Sequence, residues 1–168
     1  MATGGWPGLC FHHEAVKKAA EEFLSALALR YRHHPALYVY ECWNEPFLEP
    51  TYIGKIFCYC QASIDAYRRW LQKRYGDLNS LNEAWARRFS SWEQVRPPHF
   101  WGGLTNWIDW RRFWVESLTE HLMWRVETIR KSDPDHKIAT HPSGPGTIGG
   151  LGGGRADEFQ LAKHVDIL

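Results

Sequence analysis

Apolar residues recur at intervals of three and four from residue 14 to residue 32. Val16, Ala20, Phe23, Leu24, Leu27 and Tyr31 follow that repeat and predict an amphipathic helix. The pattern then changes period. Residues 36–43 are mostly aromatic, β-branched or aliphatic, and Pro35 before them and Pro46 after them stop either end from growing into a helix, so the run predicts a buried strand. Helical spacing returns over residues 57–75, with Ala62, Ala66, Trp70 and Leu71 on one face and Gly76 as the C-terminal stop. A shorter helix is predicted over 77–88, where Ser80 stands at capping-box spacing before Glu83. Residues 90–106 carry Pro97, Pro98, Gly102 and Gly103 and read as a long connection, a kind of segment that is usually functional or disordered. A long helix over 107–130 should turn Trp110, Phe113, Trp114, Leu118, Leu122 and Val126 inward and end before Pro134. A short strand over 137–140, a glycine-rich run over 144–154, a short helix over 158–163 and a final strand complete the chain.

Strands alternating with helices imply parallel pairing through right-handed crossovers. A complete eight-stranded (β/α) barrel needs about 250 residues, and this chain has 168. The expected fold is therefore α/β: a single partial TIM barrel over residues 1–168, holding about the fourth to sixth strands, with both ends of the domain missing.

The chemistry expected of such a fold sits at the carboxyl ends of its strands. The predicted strand 36–43 runs into Trp43-Asn44-Glu45-Pro46, which places a carboxylic acid beside an amide there. Glycoside cleavage needs a carboxyl group to protonate the leaving oxygen, and retaining enzymes add a second carboxylate about 5 Å away to attack the anomeric carbon. Glu45 suits the first role. Asn44 can hydrogen-bond the hydroxyl next to the anomeric carbon. As a bare four-residue match, the same residues fit a surface turn before Pro46.

Composition narrows the partners. Lys and Arg number 20 against 19 Asp and Glu, a balance that gives no electrostatic case for nucleic acid or an anionic membrane. No apolar run is long enough to cross a bilayer, and four cysteines without a secretory segment fit a reduced, cytoplasmic setting. Ten tryptophans exceed what a core of this size requires, and indole faces stack on pyranose rings, although any single one of them fits better as a gap-filler between helices and sheet. Trp101 and Trp107, on the Pro/Gly-rich connection, are placed to reach a sugar at the active face, and His141 at the end of the next strand can line the same pocket. Asp109, Arg111 and Arg112 read as solvated helix charge. The glycine run lacks the Gly-Lys-Ser/Thr ending of a phosphate loop.

Trp43-Asn44-Glu45-Pro46 resembles the clan of (β/α)-barrel retaining glycosidases whose fourth strand ends in Asn-Glu. Phe57-Cys58-Tyr59-Cys60, Tyr67-Arg68-Arg69-Trp70-Leu71-Gln72-Lys73-Arg74-Tyr75-Gly76, Leu81-Asn82-Glu83-Ala84-Trp85, Ser91-Trp92-Glu93 with Pro97-Pro98, and Asp109-Trp110-Arg111-Arg112-Phe113 resemble glycoside hydrolase family 42, the β-galactosidases. The likeness runs from about Cys10 to Leu168. It implies a retaining β-galactosidase in which Asn44 contacts substrate, Glu45 is the acid/base, a β-linked galactoside or related sugar is bound, and the full-length protein forms an oligomer, often a trimer. The family's nucleophile is a Glu at the end of the seventh strand, and no residue of this chain matches it. Glu41, four residues before Glu45, is better suited to a structural contact.

No cofactor is required for that reaction. Many family members hold a structural zinc with four thiolates. Cys10, Cys58 and Cys60 match three of them, and Ser63 stands at the fourth position, where a neutral hydroxyl is a poor substitute. His12 or His13 could supply the missing donor. Cys42 reads as a small core residue facing the barrel. The competing expectation for the whole chain is a sugar-binding or scaffold half-barrel without catalysis.

Overall fold

The computed structural model describes residues 9–46, 58–99, 103–142 and 156–168. Helix α1 (Glu14–Tyr31) leads into β1 (Val39–Asn44). Helices α2 (Gln61–Tyr75) and α3 (Leu78–Trp85), a single 3-10 turn at Trp92–Gln94 and the long α4 (Leu104–Ser132) then return the chain to β2 (Lys137–His141). A short α5 (Glu158–Leu161) precedes an isolated parallel bridge between Ile167 and Ala139, which brings the last residues alongside β2. The strands β1 and β2 pair in parallel, as the helix-strand alternation requires.

The α1 repeat is helical over nearly the predicted span, but only part of its apolar set is covered. Ala28 is fully buried and Leu24 packs beside it, whereas Phe23 is 64% and Tyr31 40% exposed. In α2 the buried stripe is Ser63, Ile64, Tyr67 and Leu71, rotated from the predicted face toward the polar Ser63. Gly76, at φ 79°, ends that helix as expected of a residue without Cβ strain. The cap of α3 is Asp77 rather than Ser80: its carboxylate accepts from the Ser80 backbone N–H at 2.8 Å, because the helix starts at Leu78 and Ser80 lies inside its first turn.

At 29 residues, α4 is about 43 Å long, and it joins two cores. Its first half buries Trp110, Phe113 and Trp114 against Tyr67, Leu71, Leu81 and Trp85 of α2 and α3. Its second half buries Leu118, Leu122, Val126 and Ile129 against Tyr40 and Ile138 of the sheet and Ala28 of α1. Each fully covered Leu or Ile there contributes about 1.5–3 kcal/mol of apolar burial.

Asp109 and Arg111 correct the expectation of solvated helix charge. Both are buried, and Arg112 alone of the three is exposed. Asp109 accepts from the Tyr75 hydroxyl at 2.5 Å and the Trp85 indole N–H at 2.8 Å, and pairs with Arg74 at 3.3 Å. The tryptophan excess also has a structural use: Trp85, Trp107, Trp110, Trp114 and Trp124 are buried in the cores. Among the described residues, no helix is long and apolar enough to cross a membrane.

Candidate active face and thiol cluster

The sheet register decides what the end of β1 presents. Tyr40 lies opposite Ile138, Glu41 opposite Ala139, Trp43 opposite Thr140 and Asn44 opposite His141, so the ladder skips Cys42. In an unbroken strand, side chains alternate and Asn44 would share the face of Tyr40 and Cys42, against the helices. The extra residue restores the opposite phase beyond it. Glu41, Asn44 and His141 are exposed on the open face, while Tyr40, Ile138 and Thr140 are buried on the helix face. Cys42 packs with the helix-side core rather than toward the open face, which corrects the expectation that it faces the barrel, and burial pushes its thiol up to about 11.

Glu45 follows at φ 46°, in the left-handed region. For a residue with a Cβ this conformation costs about 1–2 kcal/mol, and backbone strain of this kind concentrates at functional sites. Its backbone N–H donates to the His141 carbonyl at 2.7 Å, which ties the two strand ends together. The Thr140 hydroxyl donates to the Trp43 carbonyl at 2.6 Å just before it. Asn44, Glu45 and His141 are thus gathered at one rim, the carboxyl end of the parallel pair, with both Asn44 and Glu45 open to solvent.

Behind the rim, Arg125 of α4 lies over the Trp43 ring at 4.2 Å and the Phe11 ring at 4.3 Å. Burial brings its guanidinium down to about 10, against the opposing pull of the nearby Cys42. Burial likewise holds His121 down to about 3, so it is neutral at ordinary pH. Nothing in the sequence pattern singled out Arg125; its role depends on rings contributed by two distant segments.

Other expected site residues sit elsewhere. Trp107 is not on the connection but in the first turn of α4, which starts three residues earlier than predicted. It is buried, with the Arg111 guanidinium 4.9 Å over its ring, and presents no open face at the rim. Trp101 and the glycine run 144–154 lie outside the described residues. Two grooves stand out among the described residues. One, of about 620 Å³, lies between α2 and α4 and is lined by His12, Arg69, Trp70, Lys73 and Glu116; the other lies between α4 and α5. Neither reaches Asn44 or Glu45.

The thiols form a second centre. Cys10, Cys58 and Cys60 bring their sulfurs within 4.8 Å of one another, with Cys10 and Cys60 at 3.3 Å. Cys60 caps α2 and Cys10 precedes α1, so the cluster joins the two helix starts. Hydrogen bonding, from Cys58 foremost and then from His12, Ser63 and Cys60, brings Cys10 far below the usual thiol range against the effect of burial; Cys58 is driven upward by the same bond. Ser63 Oγ lies 3.2 Å from Cys10 Sγ and 3.5 Å from Cys60 Sγ, and His12 Nδ1 lies 3.2 Å from that hydroxyl. Three converging sulfurs and an adjacent imidazole are a donor set that suits zinc.

Comparison with known proteins agrees with this architecture. The family model described as Beta-galactosidase, glycoside hydrolase 42, matches residues 1–168. The chain is 28% identical to β-galactosidase bgaB of Geobacillus kaustophilus, over 100% of this chain and 24% of that protein. It is 30% identical to β-galactosidase GanA of Bacillus subtilis (strain 168), over 98% and 25%. The structure superposes on the β-galactosidase from Bacillus circulans sp. alkalophilus with a TM-score of 0.75 at 25% identity, covering 95% of this chain and 24% of that one. It superposes on a catalytic mutant of Gan42B, a GH42 β-galactosidase from G. stearothermophilus, with a TM-score of 0.73 at 27% identity, covering 94% and 23%. The parallel strands and their helices are thus part of a TIM barrel, and the chain spans about a quarter of the length of the curated relatives it matches. The chain belongs to glycoside hydrolase family 42, the β-galactosidases.

Proposed function

We propose that this chain supplies the acid/base half of a retaining β-galactosidase acting on terminal β-D-galactosides. Glu45 is its proton donor and acceptor, and Asn44 its contact to the hydroxyl beside the anomeric carbon. The nucleophilic carboxylate comes from sequence outside residues 1–168. In the first step the Glu45 carboxyl gives its proton to the glycosidic oxygen as that C–O bond breaks and the nucleophile bonds to the anomeric carbon. In the second, the Glu45 carboxylate takes a proton from water as the water oxygen displaces the nucleophile. His141, at the same rim, is placed to contact the sugar. A metal held by the thiol cluster would cross-link the approach to α1 with the start of α2, and takes no part in the reaction. The free thiols fit a reducing, cytoplasmic compartment.

One observation carries this reading: at the carboxyl end of a parallel strand, Asn44 is phased to the open face by the skipped Cys42, and the solvent-exposed Glu45 follows it with its backbone in a left-handed conformation. The test is Glu45→Ala in the polypeptide with its flanking sequence. Loss of general acid catalysis should lower kcat/KM on lactose by about 10²–10⁴-fold, while an aryl galactoside with a good leaving group stays reactive and added azide yields β-galactosyl azide. Lactose turnover equal to the parent would remove Glu45 from the role. A parent that binds galactose and hydrolyses no galactoside would instead support a sugar-binding scaffold.

A further inference from the structure

We propose that His12 is the fourth ligand of a closed three-thiolate, one-imidazole zinc site formed with Cys10, Cys58 and Cys60. The proposal stands on the thiol cluster and is independent of the glycosidase reading. A tetrahedral zinc with bonds of about 2.3 Å to sulfur separates its sulfurs by about 3.8 Å. The three sulfurs already lie within 4.8 Å of one another, so an ion enters with small side-chain adjustments. The fourth vertex is marked by Ser63 Oγ, which faces both Cys10 and Cys60. A serine hydroxyl must lose its proton to become a strong ligand, whereas a neutral imidazole binds zinc directly.

His12 is the imidazole in reach. It stands two residues after Cys10, and the bond from the His13 N–H to the Cys10 carbonyl at 3.0 Å turns the segment back on itself beside the thiols. Its ring is held by Phe113, stacked at 5.4 Å, and by Trp114 at 5.0 Å, and its Nδ1 is already directed at the Ser63 hydroxyl. Bringing Nδ1 to the vertex takes a movement no larger than the 3.2 Å between those two atoms. Ser63 then rotates off the vertex and donates its O–H to a thiolate, a charge-assisted bond. His13 is exposed. His121 is half-buried and meets His12 ring to ring at 4.9 Å.

The test uses the polypeptide with its flanking sequence, zinc analysis by mass spectrometry, and cadmium and cobalt substitution. The parent should hold one zinc per chain, and its ¹¹³Cd resonance should fall in the range of three sulfurs and one nitrogen. His12→Ala should weaken zinc by about 100-fold, at least the upper end of what losing an outer-shell partner costs. It should also move the cadmium resonance and the cobalt absorption bands. Ser63→Ala should leave affinity and spectra nearly unchanged. Should His12→Ala fail to fold, the double variant His12→Ala/Ser63→Cys, with a fourth thiolate at the vertex, should refold with zinc and give a four-sulfur cadmium resonance. A parent without metal affinity overturns the proposal. So does a Ser63→Ala variant that loses zinc while His12→Ala keeps it, or a cadmium resonance that His12→Ala does not move.

Discussion

Replacing Asp109 with alanine tests the polar centre of the helical core. The carboxylate is 3% exposed and receives three donors from two other helices: the Trp85 indole, the Tyr75 hydroxyl and Arg74. Trp85 is buried, so its N–H would lose its acceptor without gaining water, at about 1–3 kcal/mol. Tyr75 and Arg74 are partly open and can turn to solvent, so each loses only a net hydrogen bond, about 0.5–1.5 kcal/mol. The sum, about 2–6 kcal/mol, brackets the roughly 3–5 kcal/mol cost of removing one partner from a buried ion pair. Urea unfolding followed by far-UV circular dichroism reads the change. The cause is isolated by a double-mutant cycle with Trp85→Phe, which removes the donor that alanine would strand; the pair should be less than additive by about 1–2 kcal/mol. An Asp109→Ala protein within about 0.5 kcal/mol of the parent, or a strictly additive cycle, refutes the argument.

Leu122 is fully buried between α4 and the sheet, so Leu122→Ala should cost about 3–5 kcal/mol, whereas Phe23→Ala, at a 64% exposed site, should change stability by less than about 0.5 kcal/mol in the same unfolding assay. Asp133 gives a pH signature. Burial alone would raise its carboxyl, but bonds from the Tyr40 hydroxyl at 2.8 Å and from the backbone N–H groups of His136 and Asp135, with the His136 ring, outweigh that and hold it below its ordinary 3.8. Its contribution is therefore complete above pH 3.8 and is lost as pH falls through the lower folded value. The stability gap between the parent and Asp133→Asn should shrink on acidification below pH 4; a constant gap from pH 6 to the acid limit refutes that assignment.

Structure is legible in the sequence where periodicity is local. The α1 and α4 repeats and the proline-bounded strand each carry their signal within one element, and the Asn44, Glu45 and His141 positions follow from where strands end. Burial and partners are not legible where a residue's surroundings come from elsewhere. Asp109 sits among charges at helical spacing and reads as solvated, because its partners Tyr75, Trp85 and Arg74 arrive from other helices. The tryptophan surplus reads as core filling for most single rings and as sugar-binding surface for the set; five of the rings do fill cores, but which five only the packing of the helices defines. The skipped residue at Cys42 is invisible locally, since it exists only in register with β2, nearly a hundred residues downstream.

That register also explains why a cation is buried behind the rim. By carrying Asn44 to the open face, the skip leaves Trp43 on the helix side, where its ring meets Arg125. Arg125 is 8% exposed, and its Nη1 has no hydrogen-bond partner among the described residues, an arrangement that by itself is costly. The rings of Trp43, Phe11 and Trp124 supply the compensation, at about 0.5–2 kcal/mol for each well-placed face. Phe11 lies between Cys10 and His12, so the segment that closes the thiol cluster also clamps Arg125, and Arg125 in turn bears on the residue before Asn44. The strained strand end is thereby held from behind by a continuous set of contacts that begins at the thiols, and order at the cluster and order at the rim are parts of one packing arrangement.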